Sequence, residues 1–214
     1  MMKKAVQILC VILALALLTG CGGKRGAAEP SAAPVQAARS GRQVGERYEG
    51  HITLEGMEEA VQYEHIRSAS VGIEIDYEFE NFVRRSEPER ECFVSNWDRP
   101  EDPQNYLELT YRAEDAGSVA AEIAAALSAE YELSRDDAFP LNYAGSCIRI
   151  DASANKGGLT MPDKLQTVYV IPAPDGCRVA VQHCEIESAE GLGVRFRNML
   201  NTLEVITRTA ESQS

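Results

Sequence analysis

The chain has 214 residues, 33 of them acidic and 21 basic, for a net charge of −12. Setting aside the six bases and two acids of residues 1–46 leaves 15 bases against 31 acids, a body of charge −16. That balance argues against a nucleic-acid binder, whose phosphates demand Lys and Arg, and against a domain body lying on an anionic membrane.

The chain opens with Lys3 and Lys4, followed by a run from Ala5 to Leu18 broken only by Gln7. A bilayer core needs about 20 apolar residues, so this run is too short to span one and has the length of a secretory leader. It stops at Leu18-Thr19-Gly20-Cys21. A basic start, an apolar run, small residues and then a cysteine resemble the lipobox of bacterial lipoproteins. The resemblance implies that Leu18, Thr19 and Gly20 are read by a type II signal peptidase. It also implies that Cys21 receives a diacylglyceryl group and becomes the first residue of a protein anchored on the outer face of the cytoplasmic membrane. At about 0.8 kcal/mol per buried CH2, two acyl chains hold where one does not.

Residues 22–47 are rich in Gly, Ala, Ser and Arg, with Pro30 and Pro34 and no apolar period. They read as a flexible tether that holds the body on the order of 25–30 Å from the anchor. The expected organisation is a leader over 1–20, the acylated Cys21 and tether over 21–47, a globular domain over 48–210 and a disordered tail over 211–214.

In the body, "HITLEGMEEAVQYEHIR" reads as a hairpin turning at Glu55-Gly56. "VGIEIDY" alternates, with Val71, Ile73, Ile75 and Tyr77 on one face and Glu74 and Asp76 on the other. Residues 91–97 and 106–112 are further strands. A helix follows, capped by Asp115 or Ser118, with Val119, Ala120, Ile123, Ala124 and Leu127 as its apolar stripe. A strand over 146–152 comes next. Two β-rich runs then flank Pro174-Asp175-Gly176, where proline presets the turn and glycine accepts positive φ. The last helix begins at Ser188 and buries Leu192, Phe196, Met199, Leu200 and Leu203. Its Arg195, Arg197 and Asn198 face outward, and Phe196 is expected among Val168, Val170 or Ile148. Strands joined by short turns and covered by helices give an α+β fold, a single antiparallel sheet of about six strands with helices packed on it.

The strand "VGIEIDYEFENF", the strand "YLELTY" before an Ala-rich helix, the long hairpin and the final "AEGLGVRFRNMLNTLEVI" together resemble PsbP-like domains. These are the extrinsic photosystem protein and its bacterial relatives of unassigned role. The resemblance implies a central antiparallel sheet with helices on it and brings no catalytic residues.

Chemistry-bearing motifs are sparse. No G-x-S-x-G, P-loop, H-E-x-x-H, C-x-x-C or G-x-G-x-x-G occurs. Gly157-Gly158 is too bare for a phosphate cradle. His183 and Glu185 share a strand face and form a candidate polar site, although zinc would need further ligands from elsewhere. Glu78/Glu80, Glu101/Asp102 and Asp136/Asp137 lack calcium-loop spacing and read as solvated surface. Cys92, Cys147, Cys177 and Cys184 permit disulfides in an exported domain. Cys177 and Cys184 lie roughly 23 Å apart along one strand and cannot bond each other. Pairing of Cys92 with Cys147, or of Cys147 with Cys177, competes with the favoured reading of four buried free thiols. No cofactor or metal is implied. The functional expectation is a lipid-anchored, non-catalytic binding or scaffold module with a protein partner or small ligand. The alternative is a tethered hydrolase acting on cell-wall or extracellular polymer.

Overall fold

The computed structural model describes residues 41–155 and 164–208. The leader, the Leu18–Cys21 block, most of the tether, Gly157-Gly158 and the 211–214 tail lie outside the described residues.

The elements run β1 (Arg47–Leu54), β2 (Met57–Ser68), β3 (Ile73–Glu78), β4 (Phe82–Glu87), β5 (Arg90–Ser95), β6 (Tyr106–Arg112), α1 (Ala116–Leu127), β7 (Tyr131–Leu141), β8 (Gly145–Asn155), β9 (Lys164–Ala173), β10 (Gly176–Glu185), a short 3-10 turn (Ile186–Ser188), α2 (Ala189–Leu200) and β11 (Glu204–Val205). All strand pairs are antiparallel. They form two sheets, not one of six strands. The first is ordered β1-β2-β3-β11 and the second β4-β5-β6-β10-β9-β8-β7. The chain crosses from the first sheet to the second in the turn between β3 and β4. β11 then returns to pair with β3, Glu204 opposite Glu74.

The hairpin at Glu55-Gly56 forms as expected, with both residues at positive φ, 51° and 80°, the geometry that matches strand twist in a two-residue turn. Asp115 caps α1 by accepting the Ser118 backbone N–H at 2.9 Å. The apolar stripe of α1 packs on one face of the seven-stranded sheet, against Ile148, Ile150, Val168, Val170, Cys177 and Val179. The opposite face carries Phe93, Leu107, Leu109, Cys147, Tyr169, Ile171, Ala180 and Cys184. These meet Ile66, Ile73, Ile75 and Tyr77 of the first sheet and Leu192, Phe196, Met199, Leu200 and Leu203 of α2 and the turn after it. The main core therefore lies between the two sheets and α2, with α1 on the outer face. Phe196 sits in this core beside Phe82, ring centroids 5.0 Å apart. Val168, Val170 and Ile148 belong to the α1 side instead, which corrects the expected partners.

The same two faces settle the cysteines. Cys147 and Cys184 belong to the inner core and Cys177 to the α1 side. A Cys147–Cys177 bond would have to pass through the sheet. All four thiols are free and buried. Burial pushes Cys92 up to about 11 and Cys147 and Cys184 up to about 12, so they stand as protonated, inert thiols.

Three expectations about polar residues are corrected. Glu78, read as solvated, is fully buried, as is Asp76. Arg195 and Asn198 of α2 are buried, and Arg197 is half-buried. Finally, the end of the expected tether is fastened to the domain. Arg42 donates to Asp76 at 2.9 Å, and the Gly45 N–H donates to the His65 carbonyl at 2.8 Å. Asp76 also accepts from the Tyr48 hydroxyl and from His65 Nδ1, both at 2.7 Å.

Candidate functional site

The two sheets and α2 converge on a cleft of about 450 Å³. Leu54 at the end of β1 forms one wall. Ser95, Trp97, Asp98 and Asn105 come from the end of β5 and the loop to β6. Glu185, Glu187 and Ser188 come from the β10–α2 junction, and Gly191, Leu192 and Arg195 from the first turns of α2.

The loop after β5 is held by its own side chains. Asp98 accepts the backbone N–H groups of Gln104 and Asn105 at 2.6 and 2.5 Å and the Asn105 amide at 2.7 Å. Asn105 Oδ1 in turn accepts the Glu185 backbone N–H at 3.0 Å. The floor of the cleft is thus a satisfied polar network, which rigidifies its surroundings. On the rim, Trp97 is 68% exposed. It is the only tryptophan in the chain.

Arg195 forms the inner wall. Its guanidinium donates to Glu78 Oε2 at 2.6 Å and to Glu59 Oε1 at 2.5 Å. Asn81 donates to the same Glu78 oxygen at 2.9 Å. Glu78 Oε1 has no hydrogen-bond partner among the described residues, nor does the hydroxyl of Tyr63, which stands opposite Glu78 on β2. Burial pushes the Glu78 carboxyl above its usual range, against the pull of Arg195 and Asn81. A carboxyl raised in the folded state binds its proton more tightly there than in the unfolded chain. Its contribution is therefore most favourable below the ordinary Glu range and is lost as pH rises through the folded pKa. Wild-type protein should gain thermal stability relative to Glu78→Gln as pH falls from neutrality toward that range. Paired melts across pH check this, and the opposite slope would mean that the Arg195 ion pair dominates.

The structure separates the two residues of the expected polar site. Glu185 lines the cleft. His183 does not: its ring stacks on Tyr106, centroids 5.0 Å apart and 8° from parallel, and its Nδ1–H donates to the Gln104 carbonyl at 2.6 Å. Among the described residues no group of three or more His, Cys, Asp and Glu side chains is arranged to hold a metal. Among them, too, no helix is long and apolar enough to cross a membrane. Trp97, Asp98, Asn105 and Arg195 are the cleft residues that sequence reasoning missed. The one available signal was the lone tryptophan in the polar stretch Asn96–Pro100, which reads there as the tail of a strand.

Neither a family model nor a curated protein matches the chain. Among solved structures it is similar to the solution structure of cyanobacterial PsbP (CyanoP) from Synechocystis. Sequence identity is 10% and the TM-score 0.44, over 67% of this chain and 92% of that one.

Proposed function

We propose that this protein is a lipid-tethered, extracytoplasmic binding module of the PsbP-like kind, and that the cleft rimmed by Trp97 is its contact site. The carrying observation is the exposed indole beside a rigid concave surface. Large exposed aromatics at the edge of a preformed cleft supply contact area at little entropic cost. Two of the cleft's charged groups are already engaged: Asp98 by the loop it organises, Arg195 by Glu59 and Glu78. The buried thiols are held protonated. These features suit recognition better than a reaction that needs an activated nucleophile.

The tether half of the reading rests on Leu18-Thr19-Gly20-Cys21. Cys21→Ala should abolish acylation and release the protein from the membrane fraction, or leave the leader uncleaved. Mass spectrometry of the native protein checks it. Cleavage at another position with no lipid attached would remove the anchor.

A further inference from the structure

The charge around the cleft is lopsided in a way its fold does not require. Its lining holds three carboxylates, Asp98, Glu185 and Glu187, and one guanidinium, Arg195. Arg195 is itself matched by Glu59 and Glu78, neither of which is part of the lining. The N-terminus of α2 adds a partial charge of roughly +0.5, which is too small to offset the acids. Glu185 and Glu187 are exposed, and neither is engaged in an ion pair with any described residue. They line the same concave surface as Trp97. An indole with nearby free carboxylates is a receptor for a desolvated cation: the ring quadrupole attracts the charge and the carboxylates accept its hydrogen bonds.

The surroundings extend that chemistry beyond one charge. Met57, 68% exposed, faces Leu54 across the β1–β2 hairpin. Glu55 and Glu58 flank it, and Glu101 and Asp102 are exposed on the loop that carries Trp97. Exposed acids thus neighbour both Met57 and Trp97 along the chain.

Resting on the reading of this cleft as the contact site, we propose that its occupant is a basic segment of a partner protein. An arginine or lysine side chain lies on Trp97 between Glu185 and Glu187, and neighbouring apolar residues of the segment rest on Leu54 and Met57. The complementarity is electrostatic, so association is fast and salt-sensitive.

The test uses the full-length chain in non-ionic detergent, with fluorescence of the single tryptophan as the signal. The probes are a short blocked peptide of alternating arginine and leucine, the same peptide with glutamine for arginine, and arginine amide alone. The expected result is a saturable Trp97 response to the arginine peptide that weakens with added salt. Affinity should fall about ten-fold in a protein carrying Glu185→Gln and Glu187→Gln. It should be unchanged with Glu130→Gln and Glu132→Gln, which flank Tyr131 where β7 begins. Melting temperatures of both double variants are measured to show that each is folded. Equal responses to the arginine and glutamine peptides would overturn the cationic occupant while leaving the cleft as a contact site. Equal losses in the two double variants would reduce binding to general attraction toward an acidic protein and overturn the proposal. Arginine amide binding as tightly as the peptide would replace the protein partner with a small cation and likewise overturn it. No Trp97 response to any probe would remove both the proposal and the reading of the cleft beneath it.

Discussion

Phe196→Ala should lower stability by about 3–5 kcal/mol, a large part of the roughly 5–15 kcal/mol a domain of this kind possesses. The ring has no exposure to solvent. It packs on Phe82 and belongs to the core that both sheets and α2 share. Truncation leaves a cavity bounded by elements from the two ends of the chain, and such a site collapses poorly because its walls are fixed by separate sheets. Arg197→Ala, on the next residue of the same helix, is the control. A solvated arginine would cost under about half a kcal/mol. This one lies over the rings of Phe139 and Tyr169, 5.0 and 5.9 Å from their centroids, so the expected cost rises to about 1 kcal/mol. Denaturant melts of the two variants and wild type decide the matter. Equal small losses would mean that α2 is peripheral and that the two sheets do not share a core.

How far the sequence reveals this arrangement depends on what each residue has to satisfy. The stripes of α1 and α2 were legible because both helices bury apolar residues at helical spacing, and every residue assigned to the α2 stripe is buried. Its polar side was misread for a physical reason. Arg195 and Asn198 occupy positions that amphipathic spacing gives to solvent, but α2 is wedged against both sheets: Arg195 finds Glu78 and Glu59 on the first sheet, and Asn198 turns back onto the Val194 carbonyl of its own helix. A buried ion pair looks identical to a solvated one in a sequence. Glu78 was misread in the same way, from the other end of the same bond.

β7 escaped because it is an edge strand. Its sequence YELSRDDAFPL is exposed along most of its length, and its register shifts between Asp136 and Phe139. Charge and irregularity on an edge protect against unwanted pairing, and they erase the alternation by which strands are recognised. β4, with Arg84, Arg85 and Glu87, is the opposite edge of the same sheet and was hidden for the same reason. The division into two sheets was not legible because it turns on long-range pairing. The two-residue match of β11 with β3 closes the first sheet, and nothing local in Glu204-Val205 announces it. The cleft inherits this difficulty. Its walls come from three separate stretches of chain, and of the two residues read as a candidate polar site only Glu185 lines it.

Arg178→Met should be comparably damaging, with a loss of about 3–5 kcal/mol, although it leaves the volume nearly unchanged. Arg178 is fully buried on β10 and projects away from the α1 side. Its guanidinium donates to the Gly72 and Ile206 carbonyls, both at 3.3 Å, and makes a two-pronged pair with Asp175 at 2.9 and 3.1 Å. One side chain thereby ties together the turn before β3, the β9–β10 turn and the segment after β11. Removing it takes a donor from the half-buried Ile206 carbonyl, at about 1–3 kcal/mol, and strips Asp175 of its partner, while the Gly72 carbonyl keeps only the Ile206 N–H at 3.0 Å. Lysine should not rescue, because a point charge cannot reproduce the fork. The pair also predicts the acid side of the stability curve. Arg178 holds the Asp175 carboxyl below its usual range, so its contribution is present above the ordinary Asp range and fades as pH falls through the lower folded value, and in Arg178→Met that part of the acid sensitivity should disappear. Gly72 provides an independent check. It sits at φ +79°, and a Cβ there would lie 2.3 Å from Arg178 Nη2 and 2.7 Å from Arg208 Cγ. Gly72→Ala is therefore destabilising by strain and by collision. Part of the collision is with the guanidinium that Arg178→Met removes, so the double variant should lose at least about 1 kcal/mol less than the two single losses combined. Strict additivity in denaturant melts would mean that Arg178 and Gly72 act independently, and that the guanidinium does not clamp this turn to the sheet.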